Sequence, residues 1–159
     1  MHLPNGEDIL KRTLELVKPG GWFIIEEPND DACRDGNEPL PPGFRAFVET
    51  WLSIIRSRGA EPCIGQDLGR ILDESRLFSE VNIRKLVIPY SGQSKVEAEK
   101  RLGDAWRSIA IRNGEDFPKR FEKEGITTEV AQAMKAELLD SRRRLCTDVY
   151  FAWSRRKTY

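Results

Sequence analysis

Apolar residues recur at two periods along this chain, and the switch between periods orders its elements. Over residues 7–17, Ile9, Leu10, Leu14 and Val17 fall on one face of a helix that Asn5 or Asp8 can cap. Lys18 then places positive charge where the helix dipole favours it, Pro19 stops the helix, and Gly20 and Gly21 allow the turn out. Residues 22–25 are almost continuously apolar, the pattern of a strand buried on both faces with Trp22 in the core. Residues 29–43, rich in Pro, Asp, Asn and Gly, read as a loop. Two helices follow: residues 43–58, with Phe44, Phe47, Val48, Trp51, Leu52 and Ile55 on one side, and residues 66–75. Residues 81–87 alternate as a strand that Pro89 and Gly92 break. Residues 97–111, 116–124 and 128–141 read as helices, and Val149, Phe151 and Trp153 alternate with Tyr150, Ala152 and Ser154 in a last strand. This order predicts an α/β fold, a small three-stranded sheet with helices on its faces.

Composition narrows the classes. A chain of 159 residues, 39% apolar and 33% charged, suits one domain with a packed core. Its 26 basic and 26 acidic residues balance, so the whole chain lacks the electrostatic footprint of a nucleic-acid binder. Cys33, Cys63 and Cys146 have no C-x-x-C spacing, and His2 is the one histidine, so no zinc set forms; the cysteines read as reduced thiols. There is no signal-peptide pattern, and no run reaches the ~20 apolar residues of a membrane helix. A soluble, cytoplasmic protein is the expectation.

Four segments carry a family likeness. "LVKPGGWFIIEEP" resembles the turn and fifth strand of class I S-adenosylmethionine-dependent methyltransferases, with the flavour of their fungal small-molecule branch, to which regulators of secondary metabolism also belong. "MHLPNGEDILKR" is similar to the segment after that family's fourth strand. "LGRILDESRLFSEVNIRKLVIP" resembles the helix and sixth strand, and "TDVYFAWSRRK" the seventh strand, which closes the sheet antiparallel to its neighbours. The resemblance implies S-adenosylmethionine as methyl donor and a small molecule as acceptor. The family binds its cofactor with a glycine turn after the first strand and an acid ending the second. No G-x-G pattern occurs here, and Gly20-Gly21 precede a strand. The likeness therefore implies the C-terminal half of a Rossmann-like, seven-stranded methyltransferase fold. It would be one domain over residues 1–159, with a helical lid over about 93–141, and would bind little cofactor by itself. Without a fourth strand beside it, the strand at 22–25 would present an open edge, and self-association through it is expected.

The candidate residues follow from both lines. Glu26, Glu27, Asp30 and Asp31 fall where ligands sit if the strand ends there, and Glu27 and Asp30 are the favoured pair for deprotonating or holding an acceptor. A solvated acidic turn is the competing reading. His2, the one imidazole, is placed beside methyl transfer by the resemblance, against the ordinary fraying of a terminus. Phe44, Phe47, Trp51, Trp106, Phe117 and Phe121 would form the lid over an apolar acceptor, with Phe47, Trp51 and Trp106 chosen as its contacts; helical spacing alone equally describes core packing. Arg142, Arg143 and Arg144 suit an anion or a solvated helix end. Besides methyl transfer, a non-catalytic binding or dimerisation module and a methyl-independent cyclase or isomerase remain open, because fold alone does not choose function.

Overall fold

The first strand is far longer than its apolar run. In the computed structural model, which describes residues 3–158, β1 spans Trp22–Asp35 and takes in the whole acidic segment. The other elements are α1 (Gly6–Glu15), α2 (Pro42–Ser57), α3 (Leu68–Ser75), β2 (Phe78–Pro89), α4 (Glu97–Asp116), α5 (Pro118–Phe121), α6 (Thr128–Leu139) and β3 (Leu145–Arg156), with single 3-10 turns at Ile64–Asp67 and Glu122–Glu124. Element types follow the periodicity.

The sheet has the order β1-β3-β2. Gly20 N donates to Arg156 O at 3.0 Å and Gly36 N to Arg144 O at 3.2 Å, so β3 runs antiparallel to β1. Lys157 N to Leu77 O and Tyr90 N to Leu145 O set the same relation between β3 and β2. The last strand thus enters the sheet between the first two and runs antiparallel to both, the antiparallel sense being what the family likeness implied.

This arrangement corrects three expectations. The acids at 26–31 lie within a strand, not at its exit. Pairing with the long β3 outweighs the local turn signals, and Pro28, which has no ladder N–H to give, is tolerated because β1 is an edge strand among the described residues. Second, β1 is buried on one face only: Phe23 is 8% exposed, but Trp22 is 56% and Ile24 73% exposed. Trp22 is therefore no core residue. Third, the doubly covered stretch is in β3, where residues 145–149 are all buried, including Thr147 and Asp148. Central position in the sheet, not unbroken apolarity, decides double burial.

The chain divides into two compact units. One comprises the residues up to Asn29, Ile55–Leu86 and Asp148 onward; the other comprises Asp30–Ile54 and Val87–Thr147. In the first, Leu10 and Leu14 of α1 and Leu68, Ile71 and Leu72 of α3 pack against Phe23, Phe78 and Ala152 of the strands. The end of α1 is held by Arg156, whose Nη1 donates to the carbonyls of Leu14, Glu15 and Val17. A guanidinium there satisfies carbonyls that the helix itself leaves open and complements its dipole. In the second unit, Phe44, Phe47 and Ile54 of α2 pack with Phe121, Ile126, Met134, Leu138 and Leu145.

Candidate functional site

The second unit gathers aromatic side chains, one of which binds a carboxylate. Trp51 on α2 donates from Nε1 to Asp30 Oδ2 at 3.2 Å. Its ring lies 4.7 Å from Phe117 and 5.6 Å from Phe121, and Phe47, one helical turn earlier, stacks on Phe117 at 5.7 Å. Phe44 meets Tyr90 at 5.7 Å, and Tyr90 meets Trp106 of α4 edge-on at 6.4 Å. Helical spacing puts Phe44, Phe47 and Trp51 on one stripe of α2, and α4 with α5 supplies the facing rings.

The stripe is aimed by an unusual cap. The carboxylate of Glu137, from α6, accepts from Gly43 N at 3.0 Å and from Phe44 N at 2.5 Å, taking two open donors at the start of α2. A Cβ on Gly43 would stand 2.6 Å from Ala133 Cβ and 2.8 Å from its carbonyl carbon, so only glycine lets the two helices close to this distance.

Beside the rings sits a polar knot on the strands. The Cys33 thiol is pushed up to about 12 by burial, eased by its hydrogen bond to Thr147. Burial also raises the Tyr90 phenol well above its ordinary value, with the neighbouring Cys33 and Asp30 acting in the same direction. Both groups stay protonated near neutral pH, so Cys33 is no thiolate nucleophile here.

The expected site residues sort as follows. Asp30 and Trp51 come together directly, Phe47 joins through Phe117, and Trp106 joins through Tyr90 and Phe44. Phe47 is buried, whereas Trp51, Trp106 and Phe117 are half-buried and offer surface to a ligand. Glu27 is buried in the first unit, while Glu26 is exposed, as strand alternation requires. His2 lies outside the described residues. Tyr90, Cys33, Thr147 and Glu137 were missed. Tyr90 follows a strand-breaking proline, and Glu137 is 94 residues from the amide it caps, so no local pattern marks either.

The arginine run is not a helix end, because α6 stops at Leu139. It lines an open cleft of about 670 Å³ with Asp35, Gly36, Asn37, Glu38 and Asp140. Arg142 pairs with Asp140 at 2.8 Å and Arg143 with Asp35 at 3.1 Å, so the cleft carries as many acids as arginines. No group of His, Cys, Asp and Glu suited to a metal ion occurs among the described residues. No helix among them is long and apolar enough to cross a membrane. Cys33, Cys63 and Cys146 form no disulfide.

Four of the glycines leave no room for S-adenosylmethionine. A nucleotide-binding turn needs glycines that leave room for ligand against backbone. Here the crowded glycines are filled by the chain itself: Gly65 by Tyr150, Gly92 by Asp104, Gly103 by the Ser91 carbonyl and Gly114 by Met134.

Sheet order, element order and the aromatic face on α2 define an α/β chain of methyltransferase-like fold. No family model matches the chain. It is similar to two methyltransferases of the fungus Strobilurus tenacellus. Methyltransferase str2 is 26% identical over 137 residues, covering 86% of this chain and 50% of that protein. Methyltransferase str3 is 34% identical over 88 residues, covering 55% of this chain and 31% of that protein. The chain thus spans half or less of the length of these relatives. The likeness is to fungal methyltransferases.

Proposed function

We propose that this chain supplies the acceptor side of S-adenosylmethionine-dependent methyl transfer to a small molecule of fungal secondary metabolism. The observation that carries it is Asp30, a carboxylate on β1 bound by Trp51 Nε1 among half-buried rings. Trp51 and Phe117 would stack on an apolar or aromatic acceptor, with Trp106 beside Tyr90 as a further contact. Asp30, oriented through Oδ2, would accept the proton of an acceptor hydroxyl or hold that hydroxyl in line. His2 and Glu27 are kept as further candidates for proton transfer. With Gly65, Gly92, Gly103 and Gly114 filled by the chain itself, the donor would be bound by other residues.

A chimera tests this. The chain replaces the aligned half of methyltransferase str2, and methyl transfer from labelled S-adenosylmethionine is followed against a panel of small phenols and carboxylic acids. Transfer to one of them that Asp30→Asn and Trp51→Ala each reduce by about tenfold or more supports the reading. A chimera that binds S-adenosylmethionine yet methylates nothing, or one that Asp30→Asn leaves untouched, overturns it.

A further inference from the structure

Tyr90, whose ring meets Phe44 and Trp106, also walls a small hollow of about 50 Å³ within the second unit. The other walls come from the loop after β2, the middle of α4, and the end of α6 with its turn into β3. Two glycines let these pieces close. A Cβ on Gly103 would run into the Ser91 carbonyl and one on Gly92 into the Asp104 carboxylate, so the loop lies directly on α4. Gln93 Nε2 donates to Ser141 O at 2.7 Å and ties the same loop to the turn that carries Arg143.

The charges of this lining are unequal: the guanidiniums of Arg107 and Arg143 stand against the one carboxylate of Asp140. Asp140 is already taken, because Arg142 donates to its two oxygens from Nε at 2.9 Å and from Nη2 at 2.8 Å. Arg107 and Arg143 are each bound through a single nitrogen. Arg107 Nη2 donates to Asp104 Oδ1 at 2.6 Å, and Arg143 Nη1 to Asp35 Oδ2 at 3.1 Å. Neither of these acids lines the hollow. A guanidinium has five N–H donors in a planar fork, so each arginine is anchored by its acid and keeps donors for a ligand.

Size and shape choose among anions. A water occupies ~10–15 Å³ of such a space, so the hollow takes about three or four heavy atoms. Acetate is of that size, and its planar carboxylate matches the guanidinium fork. Leu138 and Leu145, both buried, give its methyl end an apolar wall. We propose that this hollow binds a free carboxylate ion of acetate size between Arg107 and Arg143. The site stands apart from the methyl-transfer reading and needs no methyl donor.

Titration of the 159-residue chain with sodium acetate, followed by NMR at the Nε–H groups of Arg107 and Arg143, tests this. Both signals shift and saturate together. Acetamide, with the same shape and no charge, gives no saturating shift, and neither does sodium chloride at equal ionic strength. Pivalate carries the same charge but is too bulky for the hollow, and binds about tenfold or more weaker than acetate. Arg107→Gln and Arg143→Lys each weaken acetate by about tenfold or more, read at the arginine that remains. The lysine keeps a positive charge for the buried Asp35, and unchanged amide signals elsewhere verify the fold. Arg112→Gln removes an equal charge from an exposed place further along α4 and leaves acetate binding unchanged. Shifts that grow without saturating overturn the proposal, as does an equal response to chloride or pivalate. Either hollow variant binding acetate as the parent does overturns it as well.

Discussion

Glu137 reaches from α6 to the start of α2 and holds the helix that presents Trp51, so its removal should be felt in both stability and site. Its two carboxylate oxygens take the amides of Gly43 and Phe44 at 3.0 and 2.5 Å, and Glu137 is half-buried. A hydrogen bond to a charged group contributes about 1.5–3 kcal/mol, but water re-enters a partly open site and satisfies part of what is freed. For Glu137→Ala the loss should come to about 2–3 kcal/mol, above an ordinary cap because two donors and the helix dipole are involved. Glu137→Gln keeps one acceptor oxygen and the geometry but not the charge, and should cost about 1 kcal/mol. With urea slopes of about 1–3 kcal/mol per molar, the alanine variant should unfold about 1 M earlier. Amide exchange read by NMR makes the test local: Gly43 and Phe44 should speed up more than the amides in the middle of α2. A loss under about 0.5 kcal/mol, or unchanged exchange at those two amides, would show that water serves the helix end as well as Glu137 does.

The other expectations are shorter. Phe23→Ala should cost ~3–5 kcal/mol and Trp22→Ala under about 1 kcal/mol in dilute monomer, because one ring is buried against Phe78 and the other faces solvent; equal losses would contradict the one-sided burial of β1. The Cys33 thiol, raised from 9.0 to about 12, contributes stability that is fully present below pH 9 and is lost as pH rises towards 12, because the unfolded thiol ionises first. The stability of the parent should therefore fall by up to about 1.4 kcal/mol per pH unit in that window, and Cys33→Ala should flatten the slope; an unchanged slope refutes it. Isothermal titration of the chain with S-adenosylmethionine should show weak binding or none, and a micromolar dissociation constant would reveal a cofactor site away from the four filled glycines.

Periodicity, a local property, made the element types and their order readable. Leu10 and Leu14 recur at helical spacing and are buried, and the α2 stripe of Phe44, Phe47 and Trp51 forms as its spacing predicts. The turn at Lys18, Pro19 and Gly20 is likewise written in the residues, with Gly20 at φ +75°. The extent of β1, the exposure of Trp22 and the burial of Thr147 and Asp148 depend on which strand lies beside which. That was settled when β3, more than a hundred residues later, entered between β1 and β2. The same holds at the site. Trp51 and Asp30 were each visible as candidates, but their bond, the Glu137 cap and the enclosure of Tyr90 and Cys33 join residues 21 to 94 positions apart. A sequence pattern reports on neighbours within a turn or a pleat; pairing across a sheet and helix docking are chosen by what the whole chain can bury together.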